Sequence, residues 1–348
     1  MEEQLMKKVF VVGSIMSAAA IMVMALYLYG RDQIDLLTSM LQREARAEST
    51  EATEISKVYL GIPLPEGTVE SDISAENCYM KQSIIVTIQN AAADFYDGQV
   101  LGGSSKHIRA VYYDTEAQAV RIHVMLDELC EYDMSLHQNE LQMSFIPVHE
   151  MYDKVVVIDV GHGGASSGTV SYGISEKDVA LQIANQLKRL LDQTDIRVYY
   201  TRLSDTDVSQ EERIQFAALS GADMYISLHT NADADSHVTA GVTTYYDTND
   251  TESKLTNQAL AELVQGSVLS ATKAEDKGAI EDSNGIKLLR NIEIPAVMLE
   301  TGYMTNRQEA LLMASAPYQE KVAKGLYDGI VKAYKKFGKT INRVTEDE

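Results

Sequence analysis

A mostly parallel α/β domain, preceded by a small antiparallel β-sandwich and an N-terminal transmembrane helix, is the fold class that the sequence predicts. Three observations carry it. From Lys154 onward, apolar runs of strand length alternate with amphipathic helical stretches, the pattern of a sheet covered by helices. From about 74 to 150, apolar residues recur at alternate positions in short runs separated by polar turns. Val9 to Tyr29 holds no charged residue at all.

The uncharged run follows Lys7 and Lys8. As a helix it would be ~32 Å long, enough for a hydrocarbon core of ~30 Å. The nearest small-x-small cleavage pattern, Ala45-Arg46-Ala47, lies well past its end, which favours an uncleaved anchor over a signal peptide. Only Arg31 follows closely, so the charge bias places 1–8 in the cytoplasm, the span at 9–29 and the bulk of the chain outside the membrane. Ile34, Leu37 and Leu41 share a helical stripe, so 30–73 reads as a stalk fading into a linker. The formal charge is −21 over 348 residues, which argues against nucleic acid because no basic surplus is left to neutralise phosphates. Cys78 and Cys130 have no metal-ligand spacing; one disulfide and two free thiols are equally open.

Within 74–150, "SIIVTIQN", "IRAVYYD", "AVRIHVMLD" and "ELQMSFIPV" alternate as half-buried strands do. His107, His123, His137 and His149 share no ligand spacing and are read as surface or packing residues. The α/β domain spans 153–337. It opens on the strand "KVVVIDV", and the helix "SEKDVALQIANQLKRLLDQ" follows, with Val179, Ile183, Leu187 and Leu190 on one face. Ser175 and Asp178 have capping-box spacing, as do Ser209 and Glu212 before the helix "SQEERIQFAALSG". "IRVYYTR", "DMYISLH", "GVTTYY" and "IPAVMLE" are strands; "ESKLTNQALAELVQGSVLS" and the stretch to about Lys336 are helical, and the tail, 338–348, is expected to be loose.

Sites in open α/β sheets gather at the carboxyl edge, where the connecting loops converge. Four residues hold such positions. His162 follows "VVVIDV", Glu176 begins a capped helix, His229 ends "DMYISLH" and Glu300 ends "IPAVMLE". Two imidazoles and a carboxylate are what a catalytic zinc ion usually takes from a protein, and a further carboxylate can move protons between water and a leaving amine. Each residue alone has an ordinary alternative: a tight turn, a helix N-terminus, a solvated strand end. Four such placements together favour metal-assisted amide hydrolysis.

The motifs "IDVGHGG", "SEKD", "TRLSDTD", "ERIQFAALSGADMYISLHTNA", "GIKLLRNIEIPAVMLETGYMTN" and "YQEKVAKGLYDGI" resemble, in order and spacing, the zinc-dependent N-acetylmuramoyl-L-alanine amidases of the amidase-3 type, over about Lys154 to Tyr334. The resemblance implies Zn2+ as cofactor, His162, Glu176 and His229 as its ligands, Glu300 as the catalytic residue and Arg290 as a substrate-binding residue. It implies a peptidoglycan hydrolase that cuts the amide between N-acetylmuramic acid and L-alanine. Asp159 is expected to be structural or to orient the His162 side of the site.

The chain departs from the family pattern at Val160, where proline is usual, at Ala218, where asparagine is common, and at Lys277, often arginine. None removes a ligand or the base; Lys277 keeps charge but not bidentate geometry. The 74–150 region resembles, in strand pattern and placement, the AMIN domains that bind the wall. No helix plugging the site is expected between His229 and Glu300, and control by a separate activator or a division or sporulation partner stays open. Two alternatives are a zinc peptidase or amidohydrolase acting on another wall amide, and a non-catalytic wall-binding scaffold.

Overall fold

The structure is a computed structural model that describes residues 9–10, 59–103, 105–249, 254–283 and 285–342. The chain forms two compact units, Met1–Pro147 and Val148–Glu348.

The first unit is built of β1 (Val9–Phe10), β2 (Leu60–Pro63), β3 (Ile73–Cys78), β4 (Ser83–Gln89), β5 (Gly102–Gly103), β6 (Ile108–Glu116), β7 (Ala119–Leu126), β8 (Cys130–His137) and β9 (Glu140–Pro147). They pair antiparallel in two sheets, ordered β1-β6-β7-β4-β3 and β5-β2-β9-β8. The alternation along β4, β6, β7 and β9 has its physical basis here. Ile84, Val86, Ile88, Val111, Tyr113, Ile122, Val124, Leu141 and Met143 turn inward into one core shared with Leu60 and Ile62.

Three expectations change. Leu60–Pro63, placed in the expected linker, is an inner strand between β5 and β9, so 30–73 does not run as linker to its end. The polar run Cys130–His137 is also a strand, at a sheet edge, where its outer face needs no apolar residues. At the start of the expected membrane helix, Val9 and Phe10 are strand, in register with Tyr112 and Val111. The rest of that span, 11–29, lies outside the described residues, among which no helix is long and apolar enough to cross a membrane. Cys78 and Cys130 are free thiols.

The second unit has helices α1 (Val148–Met151), α2 (Glu176–Leu191), α3 (Gln210–Leu219), α4 (Asn257–Thr272), α5 (Lys287–Arg290), α6 (Arg307–Met313) and α7 (Ala316–Lys336). Its strands are β10 (Val155–Val160), β11 (Val170–Ser171), β12 (Ile174–Ser175), β13 (Arg197–Tyr200), β14 (Met224–Asn231), β15 (Val242–Tyr246), β16 (Asp276–Glu281) and β17 (Ala296–Tyr303). The main sheet runs β13-β10-β14-β17-β15-β16. Four strands are parallel, but β15 is antiparallel to β17 and β16 is parallel to β15. The sheet is therefore mixed rather than nearly all parallel. No helix lies between β14 and β15, so the chain must return antiparallel; α4 then carries it across to a parallel β16.

Alternate residues of the central strands serve opposite faces. Val156, Ile158, Val160, Ile226, Leu228, Val297 and Leu299 join the core with α2, α4 and α7. Asp159, Ser227, His229, Met298 and Glu300 occupy the other set of positions. A one-residue slip would exchange the two sets. Ser209 and Glu212 form the expected capping box, whereas the Ser175 hydroxyl donates to the Asp178 carboxylate instead of capping a backbone N–H. The expected loose tail is tied down at its start: the Asn342 amide donates to Asp195 at 3.0 Å and Lys339 Nζ to Asp223 at 3.0 Å.

Candidate metal centre and active site

β10 ends one residue before Gly161, and the backbone turns at His162 through a left-handed φ of 57°. Two glycines leave room for the side chains gathered here. A Cβ on Gly161 would lie 2.5 Å from His229 Nε2, and one on Gly168, whose φ is +64°, 2.5 Å from Glu176 Oε2. Gly161 and Gly168 are thus a packing requirement of the site.

Glu176, the first residue of α2, is buried at 4% exposure. Its carboxylate accepts from the Thr169 amide at 2.9 Å and the Thr230 amide at 3.0 Å. Its Oε2 lies 3.3 Å from His162 Nε2, and Oε1 lies 2.9 Å from His229 Nδ1. The two imidazole rings meet edge to face, 5.0 Å between centroids. One donor atom from each of His162, Glu176 and His229 lies within 4.8 Å of the other two. Burial alone would raise the Glu176 pKa, but hydrogen bonds from His162 and His229 outweigh it and hold the carboxyl far below the usual range. At His229 burial lowers the pKa, and Glu176 and Glu300 more than reverse it, so the net shift is upward.

Glu300 is the register partner of His229 on the neighbouring strand. Its Oε2 is buried without a hydrogen-bond partner. Burial, reinforced by the charge on Glu176 and opposed by His229, pushes its carboxyl up to about 7. It stands outside the three-donor cluster, on the strand next to His229.

Asp159 is fully buried on the face opposite the main helical core. Arg213 from α3 donates to it, as do Ser227 Oγ at 2.6 Å and Thr201 Oγ1 at 2.9 Å. Burial resists its ionisation, but Arg213 and Ser227 lower its pKa on balance. Arg213 also donates to the carbonyls of Val160 and His162, each at 2.8 Å. Arg202 donates to Val160 at 3.1 Å, Gly161 at 2.7 Å and Lys177 at 2.9 Å. Asp159 therefore does act on the His162 side, through Arg213. The two arginines went unassigned in the sequence. Their signals were faint: a cation closing the strand "IRVYYTR" and one in the first turn of a short helix.

A cavity of about 490 Å³ opens beside the cluster, lined by His162, Ser166, His229, Arg213, Leu288 and Met298 among others. Arg290, expected at the substrate, is not among the residues that line this cavity. It is half exposed at the end of α5, with Nε 3.8 Å from Asp247 and its guanidinium packed over Gly285. Only its helix neighbour Leu288 reaches the cavity.

Zinc takes nitrogen and oxygen donors at about 2.0–2.2 Å in tetrahedral array. Two imidazoles and one carboxylate gathered on three separate elements, with a second acid left unpartnered, are a donor set that fits this ion. Such a set at the carboxyl edge of an α/β sheet defines a class of candidate metal centres, at which a bound ion could activate water.

Comparison with known proteins makes that class specific. The family model described as N-acetylmuramoyl-L-alanine amidase matches residues 156–332, slightly more than half of the 348-residue chain, and the chain belongs to this family. It is 32% identical over 182 residues to the N-acetylmuramoyl-L-alanine amidase LytC of Bacillus subtilis (strain 168), covering 52% of this chain and 36% of LytC. It is 30% identical over 199 residues to the germination-specific N-acetylmuramoyl-L-alanine amidase of the same organism, covering 53% of this chain and 81% of that protein. A crystal structure of an N-acetylmuramoyl-L-alanine amidase from Clostridium difficile 630 aligns at 34% identity and TM-score 0.49, over 52% of this chain and 97% of that one.

Proposed function

We propose that this chain cuts the amide between N-acetylmuramic acid and L-alanine in peptidoglycan, with His162, Glu176 and His229 holding zinc and Glu300 as the base. The convergence of those three side chains, with the bare Glu300 oxygen alongside, is the observation that carries the reading. Bound there, zinc would supply a Lewis acid able to lower the pKa of a water molecule to about 7 and to polarise a carbonyl. The protein does the rest. Glu300 takes a proton from the attacking water and returns it to the departing amine of L-alanine. Glu176 would join the two imidazoles that its carboxylate faces as the third donor, held in place by the Thr169 and Thr230 amides, and the 490 Å³ cavity leaves room for substrate beside them.

Digestion of purified peptidoglycan by the full chain, with zinc and with a chelator, tests this. Mass spectrometry should show free stem peptides beginning at L-alanine, released only with metal. Cleavage elsewhere in the stem would favour the peptidase alternative, and no release by a zinc-loaded chain would favour the scaffold.

The β-rich unit is proposed to bind the wall, as its AMIN-like strand pattern and its position before the catalytic unit suggest. The corresponding measurement is co-sedimentation of residues 59–147 with insoluble sacculi. A membrane location with the catalytic unit outside is proposed from the uncharged run Val9 to Tyr29 and the lysines before it. Fractionating cells that express the chain with and without 1–30 decides that point.

A further inference from the structure

His162 faces Glu176 through Nε2, 3.3 Å from Oε2, which leaves the ring's other nitrogen to be accounted for. That nitrogen, Nδ1, lies 3.0 Å from Ser166 Oγ. We propose that Ser166 is a positioning residue that sets the tautomer and donor strength of His162 as a metal ligand; this rests on the zinc-site reading above.

A neutral imidazole carries one N–H. If Nε2 is to present its lone pair to a cation, the proton must sit on Nδ1, and Nδ1–H then needs an acceptor. Ser166 Oγ stands where that acceptor must be. Its place is built by the backbone: the Gly163 amide donates to the Ser166 carbonyl at 2.9 Å and the Ser166 amide to the Gly163 carbonyl at 3.0 Å, closing a tight loop. The loop is clamped from outside as well. The Gly164 amide donates to Asp205 at 2.8 Å, the Ala165 amide to Asp207 at 2.9 Å, and Lys177 Nζ reaches the Gly164 carbonyl at 2.9 Å. An exposed serine on so constrained a turn has little conformational freedom to lose when its hydroxyl accepts from the ring.

The identity of the acceptor matters. Ligand histidines commonly donate to a carboxylate or a carbonyl, which push electron density into the ring. A neutral hydroxyl pushes less, so His162 is held in orientation without being made strongly basic. A hydroxyl also keeps a proton of its own. Ser166 lines the cavity beside the cluster, so this proton is available to whatever occupies the cavity. The ligand and the substrate cleft thus share one hydroxyl.

The test is zinc affinity, measured on the full chain by competition with a chromophoric chelator. Stoichiometric zinc uptake by wild type, lost in His162→Ala, establishes the site itself; no uptake by wild type overturns both readings. With uptake established, Ser166→Ala is expected to bind zinc about 10-fold more weakly, the lower end for losing such a partner. Ser166→Thr, which keeps the hydroxyl, should restore the affinity, and Ser166→Asp should equal or exceed wild type. A purely structural serine would be mimicked by alanine and harmed by aspartate. An unchanged zinc affinity in Ser166→Ala overturns the inference and leaves the metal site standing.

Discussion

Glu300 meets two opposed demands, because the burial that makes it a useful base also makes its charge costly. Its pKa in the folded chain, about 7, lies above the ordinary 4.5. The folded state therefore holds the proton more tightly than the unfolded state. Stability from this group is fully present below pH 4.5 and is lost as pH rises through about 7. Metal-free Glu300→Gln should accordingly match wild type at pH 4 and exceed it above pH 7 by about 3 kcal/mol, while losing amidase turnover. Urea denaturation at the two pH values checks this; equal stability at high pH would contradict it. His229 is shifted upward, so protons should begin to displace zinc above the ordinary imidazole value of 6.5 as pH falls. Calorimetric titration between about pH 5 and 8 should show affinity falling toward acid, and a flat profile would count against these ligands. Arg290 is half exposed, with Nε 3.8 Å from Asp247, two residues from the cavity-lining Leu288. Arg290→Ala should raise KM a few-fold with kcat unchanged.

The parallel strands β10, β14 and β17 deliver His162, His229 and Glu300 to one edge, and α2 brings Glu176 to it. What locks that edge is the Asp159–Arg213 pair, which links β10 to α3, to β14 through Ser227 and to the His162 carbonyl. Arg213→Leu leaves a fully buried carboxylate uncompensated and should cost about 3–5 kcal/mol. Replacing both partners with apolar residues should cost less, because no charge is then stranded. A double-mutant cycle read by denaturant titration tests the point; simple additivity would mean that the pair is not coupled. Gly168 belongs to the same scale. A side chain there would meet Glu176 Oε2 and strain a left-handed backbone, so Gly168→Ala should weaken zinc binding as well as stability.

Among the described residues there are two hydrophobic cores, one joining the two sheets of the first unit and one between the mixed sheet and α2, α4 and α7. Each is extensive enough to cooperate on its own, so scanning calorimetry of the chain should resolve two transitions. Zinc should raise the second unit's Tm and leave the other unchanged, since a ligand stabilises only the unit that binds it. A single transition moved as a whole by zinc would show the two units to be coupled.

Much of the design can be read along the chain. Alternation marked β4, β6, β7 and β9 because each has one buried and one open face, and the helical stripe of α2 was plain for the same reason. Sites also follow strand ends and helix starts, and His162, Glu176, His229 and Glu300 all stand at such places along the chain. Other elements left no comparable mark. β8 is polar because it lies at an edge, and β15 reads like its parallel neighbours because strand direction is invisible in a single run of residues. The His162–Ser166 and Glu176–His229 contacts, the Arg213 lock and the approach of Arg290 to Asp247 are equally silent. Local patterning is written residue by residue, and so the elements and the candidate chemistry were determined by the sequence alone. Direction, pairing and the distance between side chains depend on free energy shared among segments far apart in the chain, and only the tertiary structure could decide them.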